Sequence, residues 1–90
     1  MKVAVCFYTP QSYEQLRKVA SDKNKLDDTY EDWLDGFHNA MTNLKSSGLD
    51  PVPFKINIDE LEEWCKLHKY KNNSKYRAEY ASEMAMKMTD

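Results

Sequence analysis

Two cysteines and two histidines are the residues of this chain best suited to metal binding. Cys65 and His68 stand three residues apart in a stretch with helical periodicity, and this spacing lets both side chains reach one metal ion. A structural zinc site needs four such ligands, but the other two, Cys6 and His38, lie far away along the chain. We therefore expect a buried Cys65, a His68 at the edge of the core, and no bound metal or cofactor.

The same residues also offer a thiol nucleophile, with Cys6 and His38 or Cys65 and His68 as the reacting pair. Such catalysis requires a thiolate stabilised by a nearby positive charge or a helix N-terminus. Cys6 instead falls inside a strand-like stretch, where a cysteine usually serves packing. The chain has two glycines, too few for a phosphate-binding glycine-rich loop. The sequence therefore predicts a protein that is not an enzyme.

The strongest signal for a partner is the basic stretch of residues 66–77, K-L-H-K-Y-K-N-N-S-K-Y-R, which has no acidic residue. Its five cations form a candidate nucleic-acid or anion patch: Lys66, Lys69, Lys71, Lys75 and Arg77. A break between two helices inside this stretch would place backbone amides beside the cations, an arrangement that suits phosphate and is the outline of a DNA-reading motif. At a helix start, Arg77 needs a negative partner, either Glu60, Glu63 or an external anion. Against nucleic-acid binding stands the formal net charge of −2.

The elements that must position these residues are organised around a central amphipathic helix, predicted over residues 29–45. Its apolar residues recur at steps of three and four: Tyr30, Trp33, Leu34, Phe37, Met41 and Leu44. Asp28 and Glu31 have the spacing of a capping box at its start, and Gly48 is placed for a left-handed cap at its end. Gly36, inside the helix, suggests close approach by another backbone. So aromatic a stripe must lie on an apolar sheet.

Two stretches have the pattern of strands that form this sheet, residues 3–8 and 52–58. In the second, preceded by an extended lead-in at residues 50–53, the apolar residues Val52, Phe54, Ile56 and Ile58 alternate with polar ones or proline, which predicts one buried face. Pro53 cannot donate to a ladder and indicates an edge strand. Because two strands alone are marginal in water, we expect a homodimer with sheets joined edge to edge. The candidate interface consists of Val52, Phe54 and Ile56.

Three further helices complete the predicted architecture. The first runs from Pro10 to about Ala20 behind a Thr9 cap, the second follows Asp59, and the last begins at Asn73 or Ser74. The buried face of the last helix is predicted to contain Tyr76, Tyr80, Ala81, Met84 and Met88. The fold is therefore expected to be α+β in the order β-α-α-β-α-α. In this single domain, residues 1–90, four helices cover a two-stranded sheet that dimerisation extends.

The composition, 41% hydrophobic and 31% charged, is that of an ordered globular domain. The first apolar run, Val3–Tyr8, is shorter than a secretory signal requires, and no stretch approaches the roughly 20 residues that cross a bilayer. We expect a cytoplasmic protein without a membrane partner, in which both thiols stay reduced.

The motifs W-C-K-L-H at residues 64–68 and R-A-E-Y-A at residues 77–81 resemble those of a group of small bacterial proteins. That group also has a tyrosine–tryptophan helix, as at residues 30–34, and an L-x-x-x-G stop, as at residues 44–48. Members carry a glycine near the end of the W-C helix, where this chain has Lys69 and Tyr70. The resemblance implies a stand-alone bacterial cytoplasmic protein and implies no activity. The sequence thus predicts a small binding or structural protein that acts through protein–protein association, chiefly with itself, with nucleic-acid binding as the alternative.

Overall fold

The computed structural model describes residues 1–88 and contains two strands and four α-helices. Their bounds are β1 Lys2–Phe7, α1 Pro10–Val19, α2 Tyr30–Ser46, β2 Asp50–Lys55, α3 Ile58–His68 and α4 Ser74–Met88, with a short 3-10 helix at Lys23–Lys25. The predicted α+β class and the order β-α-α-β-α-α are confirmed. None of the helices in this part of the chain is long and apolar enough to cross a membrane.

The two strands pair in parallel, with Val3 opposite Pro51 and Cys6 opposite Phe54. A parallel pair needs a crossover connection, which α1 and α2 provide. The ladder ends where the Ile56 amide donates to the Phe7 carbonyl over 3.0 Å. β2 is therefore displaced from its predicted range of 52–58: it begins inside the expected lead-in, and its C-terminal part turns into a helix.

Helix α2 covers one face of this sheet with its aromatic stripe, as predicted. The Phe7 ring lies 5.8 Å from Trp33 and 5.2 Å from Phe37, both in edge-to-face geometry. The helix begins one residue later than expected, because Thr29 rather than Asp28 is the cap: its hydroxyl accepts the Asp32 amide at 3.1 Å. A tryptophan and a phenylalanine one turn apart thus anchor α2 on the strand that carries Cys6.

The glycine inside α2 and the glycine just after its end give opposite outcomes. Gly48 has φ of +85°, and the Leu49 amide donates to the Leu44 carbonyl over 3.1 Å, so the predicted left-handed cap is confirmed. The expectation of close backbone approach at Gly36 is wrong: a Cβ built there meets nothing within 4 Å. The missing side chain at Gly36 therefore serves no packing contact.

The main core lies among α1, α3 and α4, and Tyr30 and Trp33 of α2 pack against it. Its buried residues include Tyr13, Leu16, Ile56, Ile58, Leu61, Cys65, Tyr80 and Ala81. Asn57, not Asp59, caps α3 by accepting the Glu60 amide, and Asn73 caps α4 by accepting the Tyr76 amide. Helix α4 packs along β1 rather than β2. The predicted burial of Met88 concerns a side chain outside the described part of the structure.

Candidate functional site

Cys65 and His68, the pair with metal-ligand spacing, have different environments. Cys65 is 3% exposed within the core, whereas His68, one turn later, is exposed. Among residues 1–88, no three metal-binding side chains of the His, Cys, Asp and Glu types converge. Burial raises the pKa of the Cys6 and Cys65 thiols, which opposes formation of the nucleophilic thiolate at neutral pH.

The basic stretch divides into four exposed lysines and one buried arginine. Lys66, Lys69, Lys71 and Lys75 are exposed around the turn between α3 and α4. Arg77 is only 5% exposed, so its assignment to a surface anion patch is wrong. Since a buried guanidinium must be compensated, its partners define a structural element of the protein.

Asp22, in the connection after α1, compensates Arg77 through a bidentate ion pair. The Arg77 Nη1 and Nη2 groups donate to the two Asp22 carboxylate oxygens over 2.9 and 3.0 Å, and Nη1 also donates to the carbonyl oxygens of Asn72. Burial lowers the pKa of Arg77, but the hydrogen bonds to Asp22 and the electrostatic interactions of the guanidinium with its neighbours together outweigh burial, and the pKa is raised. Burial likewise raises the pKa of Asp22, but the hydrogen bonds and positive charge of Arg77, together with backbone hydrogen bonds that include the Ser74 amide, outweigh burial, and the pKa of Asp22 falls below the usual range.

Asp22 also occupies the place in which an external anion was expected. The Ser74 amide at the start of α4 donates to the second Asp22 oxygen over 3.2 Å, and the Tyr76 amide donates to Asn73. The phosphate site predicted at this helix start is therefore filled by the protein's own carboxylate. The sequence predicted Glu60, Glu63 or an external anion as the partner of Arg77, because a partner 55 residues away leaves no periodic signal.

The two outer edges of the sheet differ in their ability to accept another strand. The Asp50 and Ile56 amides donate to β1, so even-numbered residues of β2 face the ladder and odd-numbered ones face outward. The outward positions of β2 are Pro51, Pro53 and Lys55. Because proline has no amide hydrogen, the β2 edge retains a single outward donor, and strand addition there is blocked.

The outer edge of β1 keeps its backbone donors and acceptors. Its odd-numbered residues face β2, so the amides and carbonyls of Lys2, Ala4 and Cys6 point away from the ladder. The described sheet has two strands, and none lies beyond β1. This edge therefore has the chemical groups that a third strand would pair with.

A groove of about 320 Å³ lies beside the C-terminal half of β1. One wall comes from α2 and consists of Trp33, Phe37 and Ala40, and the other comes from the start of α4 at Ser74 and Arg77. Between the walls lie Val5 and Cys6 of β1 and Tyr8, the residue that follows β1. The Cys6 thiol donates to the Arg77 carbonyl over 3.4 Å, and burial raises the pKa of Tyr8. A free strand edge with an apolar wall on one side and a polar wall on the other suits an extended peptide segment.

The residues predicted as the interface are distributed differently from expectation. Ile56 is 2% exposed in the core and is not available to a partner, while Phe54 is half-buried against the core. Val52 is 42% exposed, so the predicted continuous buried face of β2 is wrong at this position. The reason is the placement of α4 along β1, which leaves the start of β2 uncovered.

Comparison of the chain with models of protein families, with curated proteins and with solved structures finds no match.

Proposed function

We propose that this protein is a protein-binding module that associates with itself through the outer edge of β1. Two copies would join their two-stranded sheets into one sheet of four strands. The observation that carries the proposal is the asymmetry of the edges: β1 offers the outward amides of Ala4 and Cys6, whereas β2 presents Pro51 and Pro53. An isolated two-strand sheet gains stability from additional strands.

The surroundings of β1 support strand addition. Main-chain hydrogen bonds supply affinity in this mode of recognition, and pockets beside the edge receive alternate side chains. The groove between Trp33, Phe37 and Arg77 is such a pocket. A twofold antiparallel arrangement would use the same surface on both copies.

Concentration-dependent mass, measured by sedimentation or by light scattering after gel filtration, tests this proposal. We expect the wild-type mass to approach twice 10.6 kDa at high micromolar concentration. Ala4→Pro removes an outward amide of β1 without removing a ladder bond, and we expect it to be monomeric. Lys55→Pro removes the equivalent outward amide of β2 and serves as the matched control, with dimerisation retained.

Circular dichroism establishes that both proline variants are folded before their masses are compared. A wild-type protein that stays monomeric at several hundred micromolar would refute self-association. If Lys55→Pro were monomeric and Ala4→Pro remained dimeric, the interface would lie on the β2 edge and the proposal would be refuted.

A second proposal, nucleic-acid binding, is supported by the four exposed lysines of the basic stretch, with Lys75 also 5.1 Å from the centre of the Tyr76 ring. Each lysine that contacts phosphate adds about one unit to the salt dependence of binding. We expect Lys71→Gln with Lys75→Gln to reduce that slope by about two. The double variant Lys18→Gln with Lys45→Gln is the control for net charge. Failure to retain single-stranded DNA or RNA at low salt would end this proposal.

A further inference from the structure

A second groove, of about 540 Å³, opens between α3 and α4 and shares no lining residue with the groove beside β1. Aromatic side chains from the end of α3 and the turn after it form one wall: Trp64, His68 and Tyr70. Glu79 and Glu83 of α4 line the other side, with Met86 at 73% exposure. The groove therefore combines an aromatic surface with carboxylates.

The aromatic wall is held in place by ring contacts. Tyr70 is stacked between His68 and Tyr76, with centroids 5.3 and 4.1 Å away and planes within 13° of parallel. Trp64 meets His68, Tyr70 and Tyr80 at angles of 54° to 65°. None of these three rings lies flat on the indole, so a planar group can stack on it without displacing a stacked ring.

The charged residues that line the groove are both acidic. Glu79 and Glu83 are four residues apart on one face of α4, a spacing at which like charges repel. The Trp64 Nε1 group donates to one Glu83 carboxylate oxygen over 3.1 Å and fixes the acid at the edge of the indole. The other Glu83 oxygen lies 3.5 Å from the exposed Lys87 ammonium. A cation in the groove would reduce the repulsion and contact the aromatic face at the same time.

We infer that this groove binds the guanidinium group of an arginine side chain presented by a partner protein. A guanidinium is planar and stacks on an indole, and its fork of N–H donors can pair with both carboxylates. A lysine ammonium is compact and strongly hydrated, so it matches the flat Trp64 surface less well. The groove and the β1 edge are thus separate surfaces, and the inference does not depend on self-association.

Titration of the wild-type protein with an N-acetylated, C-amidated tripeptide that has a central arginine tests the inference. The ¹H–¹⁵N resonance of the Trp64 indole reports the site directly because this group donates to Glu83. Trp64→Phe assigns the signal against that of Trp33. We expect a saturable shift at millimolar peptide that weakens with added salt.

The same tripeptide with citrulline, the neutral isostere of arginine, separates the charge from the shape of the ligand. We expect the citrulline peptide to bind the wild-type protein at least tenfold more weakly than the arginine peptide does. We also expect the arginine peptide to bind the double variant Glu79→Gln with Glu83→Gln at least tenfold more weakly than it binds the wild-type protein. Glu14→Gln with Glu31→Gln is the control for total charge, and we expect unchanged binding. Equal shifts with arginine and citrulline, an unaffected acidic-pair variant, or no saturable shift up to about 50 mM peptide would each overturn the inference.

Discussion

Replacement of Asp22 by asparagine removes the carboxylate that compensates a buried guanidinium, and its cost in folding stability follows from the geometry. Two charge-assisted bonds of 2.9 and 3.0 Å join Asp22 to Arg77, and a third joins it to the Ser74 amide. Breaking a buried ion pair from one side costs about 3–5 kcal/mol. Because the Asp22 side chain is 14% exposed, we expect the lower end, about 3 kcal/mol.

This loss is large for a chain of 90 residues, since domains of that length are stable by about 5–13 kcal/mol. Urea denaturation at pH 7, followed by circular dichroism, measures the change directly. Thermal unfolding should show a midpoint lowered by at least about 12 °C. Asp27→Asn, which removes an equal charge from the exposed part of the same connection, is the matched control and should stay within about 0.5 kcal/mol of wild type.

The pH dependence of the same variant provides a second readout. Asp22 has a lowered pKa in the folded state, so its contribution is present above the unfolded value of about 3.9 and is lost as pH falls through the folded value. The stability difference between wild type and Asp22→Asn should therefore shrink below about pH 4. An Asp22→Asn variant that loses less than about 1 kcal/mol at pH 7, with no convergence in acid, would refute the assigned role of the pair.

Three further predictions concern individual side chains. Gly36→Ala should stabilise the protein by about 1 kcal/mol in urea denaturation, because the added methyl group enters open space within a helix; a destabilised variant would mean that the site is crowded. Lys69 has φ of +61°, so Lys69→Gly should gain about 1 kcal/mol whereas Lys69→Ala should not; equal effects would exclude backbone strain as the cause. The thiols of Cys6 and Cys65 should react with a disulfide reagent at pH 7 at least about tenfold more slowly in the folded protein than in urea, since burial raises both pKa values; fast reaction of either would contradict its burial.

Local periodicity was sufficient for the helices and for their order. The stripe that includes Trp33 and Phe37 has the period of a helix face, and its contact with Phe7 follows from the apolar character of both partners. The predicted ends of the elements were less accurate, because either of two neighbouring polar residues can cap a helix. For this reason Thr29 is the cap of α2 where Asp28 was predicted, and Asn57 is the cap of α3 where Asp59 was predicted.

The predicted start of β2, Val52, is two residues late because Asp50 and Pro51 were assigned to an extended lead-in. In a parallel pair, alternate residues turn their amides away from the neighbouring strand, and Pro51 and Pro53 occupy those positions. The sequence does not reveal this phase until the partner strand is known. The prolines therefore permit the pairing of β2 with β1 and oppose the pairing of another strand at the outer edge of β2.

The ion pair of Arg77 depends on a contact that no local pattern encodes. Its charge at a helix start signalled the need for an anion, but Asp22 reaches it only because α4 packs along β1 and the connection after α1 lies nearby. The left-handed backbone conformation of Lys69 was also not predicted, since glycine is the residue that usually marks such a conformation.

The placement of Pro51 and Pro53 limits how far this sheet can grow. Whatever strand pairs with β1, the opposite margin of the sheet lacks the donors needed to recruit another. Extension is thus terminated after one addition, and open-ended stacking of the kind that builds fibrils has no second surface on which to continue. Replacing both prolines by residues with an amide hydrogen would remove this safeguard while leaving the ladder to β1 intact.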